Sequence, residues 1–156
     1  MSDELNFVQQ ARRDKLDALT SDGVPAFAYS FERTHQAADA VAALRALDPN
    51  DAPVAGDALG DVVRVAGRLV TWRGHGKTAF AHLADSSGRI QLYFRKDELG
   101  DKTFARLDLF DIGDIVGITG PLMRTRTGEV TVRVTAVEML AKSLRPLPYG
   151  KEEVTA

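Results

Sequence analysis

The chain has 156 residues, a formal net charge of −2 and 44% hydrophobic residues, enough for one globular domain with an appended segment. It contains no cysteine, which excludes disulfides and thiolate zinc sites and fits a cytoplasmic protein. No apolar run approaches the roughly 20 residues that span a bilayer, and the opening MSDELNFVQQ lacks the basic and then apolar pattern of a secretory leader.

Residues 3–20 read as a helix capped by Asp3, with Leu5, Val8, Arg12, Leu16 and Leu19 at near-helical spacing. Ser21, Asp22 and Gly23 end it, and Pro25 prevents resumption. Val24 to Phe31 is an extended piece in which Phe27, Tyr29 and Phe31 alternate, one side packing against the strands beyond residue 60. A second helix is expected from Thr34 or His35 to Leu47, burying Ala37, Ala40, Val41 and Leu44. Asp48 and Pro49 stop it, and Asn50 to Gly60 reads as a loop.

From Asp61 the period changes to two. Strand one is Val62 to Trp72 or Arg73, with a bulge or bend expected at Gly67. Gly74 to Gly76 form a turn, Lys77 to Asp85 strand two, Ser86 to Gly88 a turn, and Arg89 to Arg95 strand three. A helix fits Asp97 to Phe110, weakened near its start by Gly100. Strand four is Asp114 to Met123, and strand five is Glu129 to Leu140, after the turn Thr125 to Gly128. Five strands with a helix between the third and fourth is the order of the OB-fold, a Greek-key barrel that often binds oligonucleotides. The fold class expected is mainly β: a five-stranded OB-fold barrel over residues 61–140, an N-terminal helical extension and linker over 1–60, and a further linker over 141–156.

Alternation sorts the faces. In strand three Ile90, Leu92 and Phe94 point inward, so Arg89, Gln91, Tyr93 and Arg95 point out. In strand two Ala79, Ala81 and Leu83 are the apolar set, which leaves Thr78, Phe80 and His82 outward. In strand five Val130, Val132, Val134 and Ala136 are placed inward, and Glu129, Thr131 and Arg133 outward. The register of strand one, and with it the facing of Arg73, is open at this point.

Charge supports a polyanion partner only locally. Residues 1–60 hold 5 basic and 10 acidic side chains, whereas residues 61–96 hold 7 basic and 2 acidic ones. On charge alone, solvated lysines and arginines on outward strand positions are the simpler account. An outward phenylalanine among arginines, a histidine and a glutamine is the combination that unstacked bases need. A ring face contributes about 1–3 kcal/mol per stacked base, a glutamine both donates and accepts, and arginine holds phosphate or a base carbonyl. Burial of Phe80 under the N-terminal helix or another domain is equally compatible with the spacing.

Other chemistry finds no support. Gly76-Lys77-Thr78 imitates the end of a phosphate-binding loop, but Thr71 stands where glycine is required and a strand comes after it. His35, His75 and His82 are scattered, and neither a metal set nor a catalytic triad is recognisable.

The stretches VRVAGRLVTWRGHGKTAFAHLADSSGRIQLYFRKDELG, FDIGDIVGITGPLMRTRTGEVTVRV and LAKSLRPLP, with FERTH before them, resemble the anticodon-binding domain of class II lysyl-tRNA synthetases. The spacings Arg73-x6-Phe80 and Gly88-x2-Gln91 are shared with related aspartyl and asparaginyl enzymes, and Lys142 to Pro148 favours lysine. The resemblance implies that Phe80 stacks on the middle anticodon base. Gln91 would hydrogen-bond that base with Arg73 beside it, and Glu129 would contact a neighbouring one. Arg68, His82, Arg89, Tyr93 and Arg133 are further candidates for RNA contact. It implies tRNA with a uridine-rich lysine anticodon as partner and no membrane. The catalytic domain, with its lysine, ATP and magnesium, would come after the LAKSLRPLP stretch. The chain stops at Ala156, so it is expected to hold no cofactor or metal and not to aminoacylate by itself. The whole ligase would be a homodimer and the separate domain a monomer. A protein-interaction barrel and a general single-strand binder remain the alternatives.

Overall fold

The computed structural model describes residues 2–21, 31–47, 58–125 and 127–143. The expected helix stop at Asp22 to Pro25, the aromatics Phe27 and Tyr29, the residues around Asp48 and Pro49, most of the loop after them and the linker from Leu144 onward lie outside them. In chain order the elements are α1 (Ser2–Ser21), α2 (Ala37–Leu47), β1 (Ala58–His75), β2 (Thr78–Asp85) and β3 (Gly88–Arg95). Next come α3 (Lys96–Leu99), α4 (Asp101–Arg106), a 3-10 turn (Leu107–Leu109), β4 (Ile115–Arg124), β5 (Val130–Arg133) and β6 (Ala136–Ala141). No helix among the described residues is long and apolar enough to cross a membrane.

β1, β2 and β3 form an antiparallel meander. β3 then runs parallel to β5, β5 pairs antiparallel with β4, and β4 returns to β1. This ring of five strands is the OB-fold barrel expected from the element order. The expected fifth strand is divided, however, and β6 lies along β4. The division comes from two hydrogen bonds. Val134 N–H donates to the Tyr93 carbonyl at 2.9 Å, and Thr135 N–H to the Thr119 carbonyl at 2.8 Å, so the chain passes there from β3 to β4. The apolar phase slips with it. Val130, Val132 and Val134 are buried as expected, but Ala136 is exposed and Met139 is buried.

Gly67 is not the site of the expected bulge. The irregularity of β1 against β2 lies between Leu69 and Thr71. A Cβ on Gly67 would overlap the Ala84 carbonyl, so glycine is needed there for the close approach of two backbones. The expected helix Asp97 to Phe110 is likewise broken, at Gly100, whose φ of +86° favours glycine. Leu107 behind it is buried, and Leu99, Phe104 and Phe110 pack on the barrel core.

α2 belongs to that core. Ala37, Ala40 and Leu44 join Val63, Leu83, Leu92 and Val132 in one buried cluster, with Leu19 of α1. The helix begins later than expected because Thr34 is engaged with β1. Its N–H donates to the Arg64 carbonyl at 2.9 Å, and its hydroxyl accepts from Arg64 N–H at 2.8 Å. The cap of α2 comes from the β2–β3 turn: Ala37 N–H donates to Asp85 Oδ2 at 2.8 Å and Ala38 N–H to Ser87 Oγ at 3.0 Å. These bonds satisfy helix donors that have no partner inside the helix. Burial works to raise the Asp85 pKa, but hydrogen bonds from the Ser87 side chain and from the Ala37 and Ser87 amides outweigh it and hold the carboxyl below its ordinary range.

A second tie joins α1, the β4 approach and the chain after β6. Lys142 Nζ is fully buried and donates to Asp111 Oδ2 at 2.6 Å and Asp114 Oδ2 at 2.8 Å. Lys15 Nζ reaches Asp111 Oδ1 at 2.7 Å, Arg12 donates to Ser143 Oγ at 3.0 Å, and Ser143 N–H donates to Asp114 Oδ1 at 2.8 Å. Burial tends to raise the Asp111 pKa, but Lys142 and Lys15 bring it below the usual carboxylate range. The Lys142 side chain is therefore committed to an internal ion network.

Candidate nucleic-acid interface

Residues directly opposite across a ladder share a face, and the registers set the outward residues in rows. One row runs Arg73, Phe80, Tyr93, Arg133 across β1, β2, β3 and β5. The next runs Thr71, His82, Gln91, Thr131, and beyond it stand Arg68 and Arg89 on either side of Ala84. The register of β1 thus settles the open question: Arg73 lies opposite Phe80, on the same face. Thr71, Trp72, Arg73, Phe80, His82 and Gln91 line an open cleft of about 260 Å³. Phe80 is half-buried, its ring tilted by 38° against Tyr93 with centroids 4.7 Å apart. Trp72 turns the other way, against Phe94 in the core, at 5.2 Å.

Gln91 lies on the expected face but is only 7% exposed. Thr131, fully buried, is the cause: its Oγ1 stands 2.9 Å from Gln91 Oε1 and 3.0 Å from the Glu129 carbonyl. One hydroxyl proton serves only one of these acceptors. Donation to Gln91 leaves the glutamine NH₂ toward the cleft. With the amide turned over, Thr131 donates to the carbonyl and leaves the glutamine oxygen free. A glutamine held this way meets either a donor or an acceptor on a base edge.

Glu129 stands at the end of the turn before β5. Arg124, 1% exposed, donates to the Gly128 carbonyl at 3.2 Å, and Thr125 N–H donates to the Glu129 carbonyl at 3.0 Å, which fixes the turn. The Glu129 side chain is 45% exposed, and its Oε1 lies 2.8 Å from His82 Nε2. The other ring nitrogen, Nδ1, is 2.7 Å from Thr71 Oγ1. His82 is therefore tied on both sides.

The arginines divide into two groups. Arg133 Nε is 3.1 Å from Glu98 Oε2 of α3, and Arg95 pairs with Asp97 at 2.7 Å. Arg68, Arg73 and Arg89 have no carboxylate or hydrogen-bond partner among the described residues. Three uncompensated guanidinium groups around an aromatic cleft make a surface suited to a polyanion bearing flat bases. Arg73, Phe80, Gln91, Glu129, Arg68, His82, Arg89, Tyr93 and Arg133 all fall on or beside this face. The sequence reading missed Thr71, Thr131 and Arg124. Thr131 had one visible signal, an outward position beside Gln91 in the strand order, whereas the buried Arg124 had none.

A closed OB-fold ring carrying these rows defines a barrel of the oligonucleotide-binding class. The chain belongs to the tRNA anti-codon family of OB-fold nucleic acid binding domains, whose pattern matches residues 63–140. It is similar to the lysine–tRNA ligase of Oceanobacillus iheyensis, 45% identical over 148 residues, which cover 95% of this chain and 29% of that protein. It is also similar to the lysine–tRNA ligases of Bacillus subtilis, 42% identical over 97% of this chain and 30% of the relative, and Enterococcus faecalis, 42% identical over 94% and 28%. The chain thus spans less than a third of the length of these relatives.

Proposed function

We propose that this chain is the tRNA-recognition module of a lysine–tRNA ligase and binds the anticodon loop of lysine tRNA on the outer face of β1, β2, β3 and β5. The observation that carries the reading is the row Arg73–Phe80–Tyr93 beside Gln91. Phe80 stacks on the middle anticodon base, Gln91 bonds that base's edge, Arg73 holds its carbonyl or phosphate, and Glu129 accepts a hydrogen bond from a neighbouring base. Stacking accepts any base, so selection for uridines rests on Gln91 and Glu129. Ligation of lysine, with ATP and magnesium, belongs on this reading to a whole ligase, working as a homodimer in the cytoplasm.

Fluorescence anisotropy with a labelled lysine anticodon stem-loop tests it, beside a loop with a changed middle base and an unrelated single strand. The cognate loop binds most tightly, and Phe80→Ala weakens it by roughly 5- to 150-fold, the equivalent of one lost stack. Equal binding by Phe80→Ala and wild type overturns the proposal. Equal binding of all three RNAs assigns a general single-strand binder, and binding of none a protein-interaction barrel.

A further inference from the structure

We propose that His82 is a positioning residue that fixes the Glu129 carboxylate as a hydrogen-bond acceptor for a base N–H. The inference rests on the anticodon reading and gives a role to a ring that otherwise looks like one more RNA contact.

An ionised carboxylate only accepts, so the 2.8 Å approach of Glu129 Oε1 to His82 Nε2 requires the proton on Nε2. In the neutral ring Nδ1 is then an acceptor, and the Thr71 hydroxyl, 2.7 Å away, supplies its proton to it. The sequence Thr71 O–H to His82, His82 N–H to Glu129 leaves no donor or acceptor on the ring unused. His82 is seated between Thr71 and Gln91 in its row with only 19% of its side chain exposed. RNA contact through a ring nitrogen would require breaking one of these bonds.

Glu129 is the end of the relay that meets solvent. Its Oε1 is occupied by His82, and no other side-chain bond of Glu129 occurs among the described residues, so Oε2 is open. A surface glutamate normally samples many rotamers, and a base would have to immobilise it on binding. Here the imidazole has already done so. The carboxylate presents lone pairs alone, so it accepts from the ring N–H of uridine or guanine. It repels the bare ring nitrogen of cytosine or adenine.

The test is a double-mutant cycle on the full chain with His82→Leu, Glu129→Gln and the pair combined, and with His82→Gln, which restores an N–H donor. Binding of the lysine anticodon stem-loop is read by anisotropy, and melting temperatures check folding. We expect His82→Leu and Glu129→Gln each to weaken binding about tenfold, the double variant to be no weaker than Glu129→Gln, and His82→Gln to return to within about threefold of wild type. Long-range ¹H–¹⁵N spectra of the RNA-free chain should show His82 protonated on Nε2, with a shift that moves in Glu129→Gln. Losses that multiply in the double variant, or a ring without a proton on Nε2, overturn the proposal. If wild type binds an unrelated strand as tightly as the loop, the anticodon reading falls. The same cycle on that strand, with the spectra, still decides the role of His82.

Discussion

Replacing Lys142 with methionine keeps the aliphatic stem and removes a fully buried ammonium. Asp114, also at 0% side-chain exposure, then keeps, among the described residues, only the N–H groups of Ser143 and Asp111 as side-chain partners, while Asp111 keeps Lys15. Breaking a buried ion pair by deleting one partner costs about 3–5 kcal/mol, because the remaining charge is left in a poor solvent. Lys15 still compensates Asp111, so the lower end applies, about 3 kcal/mol. At roughly 2–4 °C per kcal/mol for a chain of this size, the melting temperature should fall by about 6–12 °C. Urea and thermal unfolding at neutral pH measure this, with the variant Lys142→Met/Asp111→Asn/Asp114→Asn as control, which should recover part of the loss by removing the stranded charges. Acid gives an internal check. In wild type the folded Asp111 pKa lies below its ordinary value, so its stabilisation is complete above roughly pH 4 and drains as pH falls through the folded value. In Lys142→Met one of the two lysines that lower the Asp111 pKa is gone, so the variant has less of this stabilisation to lose and its gap from wild type should narrow as pH falls below about 4. A Lys142→Met chain within about 1 kcal/mol of wild type at neutral pH would refute the reasoning.

Asp85→Ala should cost about 1–2 kcal/mol in urea unfolding through loss of the α2 cap, and Asp85→Asn less, since it still offers an oxygen to Ala37 N–H. In acid unfolding of the wild-type chain, the stabilisation from Asp85 and Asp111 should be lost progressively as pH falls below the ordinary carboxylate range and through their lowered folded values, because the unfolded chain takes up those protons first. Arg73→Gln and Arg89→Gln, each without a partner among the described residues, should leave the melting temperature unchanged and weaken RNA binding. Each that meets a phosphate should also reduce the salt slope by about 0.7 to 1 in log–log form.

The β2–β3 hairpin of the candidate interface was legible because its evidence is local. Ile90, Leu92 and Phe94 alternate without interruption, and antiparallel partners only a few residues apart carry the same phase into Ala79, Ala81 and Leu83. That placed Phe80, Tyr93 and Gln91 on one face. The burial of Gln91 was not legible, because it comes from β5, which lies parallel to β3 and brings Thr131 from 40 residues away. Arg73 was ambiguous because the irregularity between Leu69 and Thr71 reverses the parity of β1. Strand five read as continuous because Val130 to Ala136 keeps an apolar alternation through the crossing from β3 to β4. The slip shows in Val137 and Met139, on the odd rather than the even positions. Lys142 looked like part of a family-specific linker motif, and an ion network drawing on α1 and the β4 approach has no periodicity to betray it.

The cap that the β2–β3 turn places on α2 has a consequence for how the candidate interface becomes native. Ala37 and Asp85 are 48 residues apart, so during synthesis the helix emerges with its first amides open and closes only once that hairpin exists. Afterwards the hairpin cannot fray from its tip without freeing those amides, and their hydrogen exchange is tied to that of β2 and β3. On the proposed function, the strands then meet the ligand already ordered, and less of the ligand's binding free energy goes into ordering them. On the proposed function, a helix that does not line the cleft thereby leaves more of the binding free energy for telling one base from another.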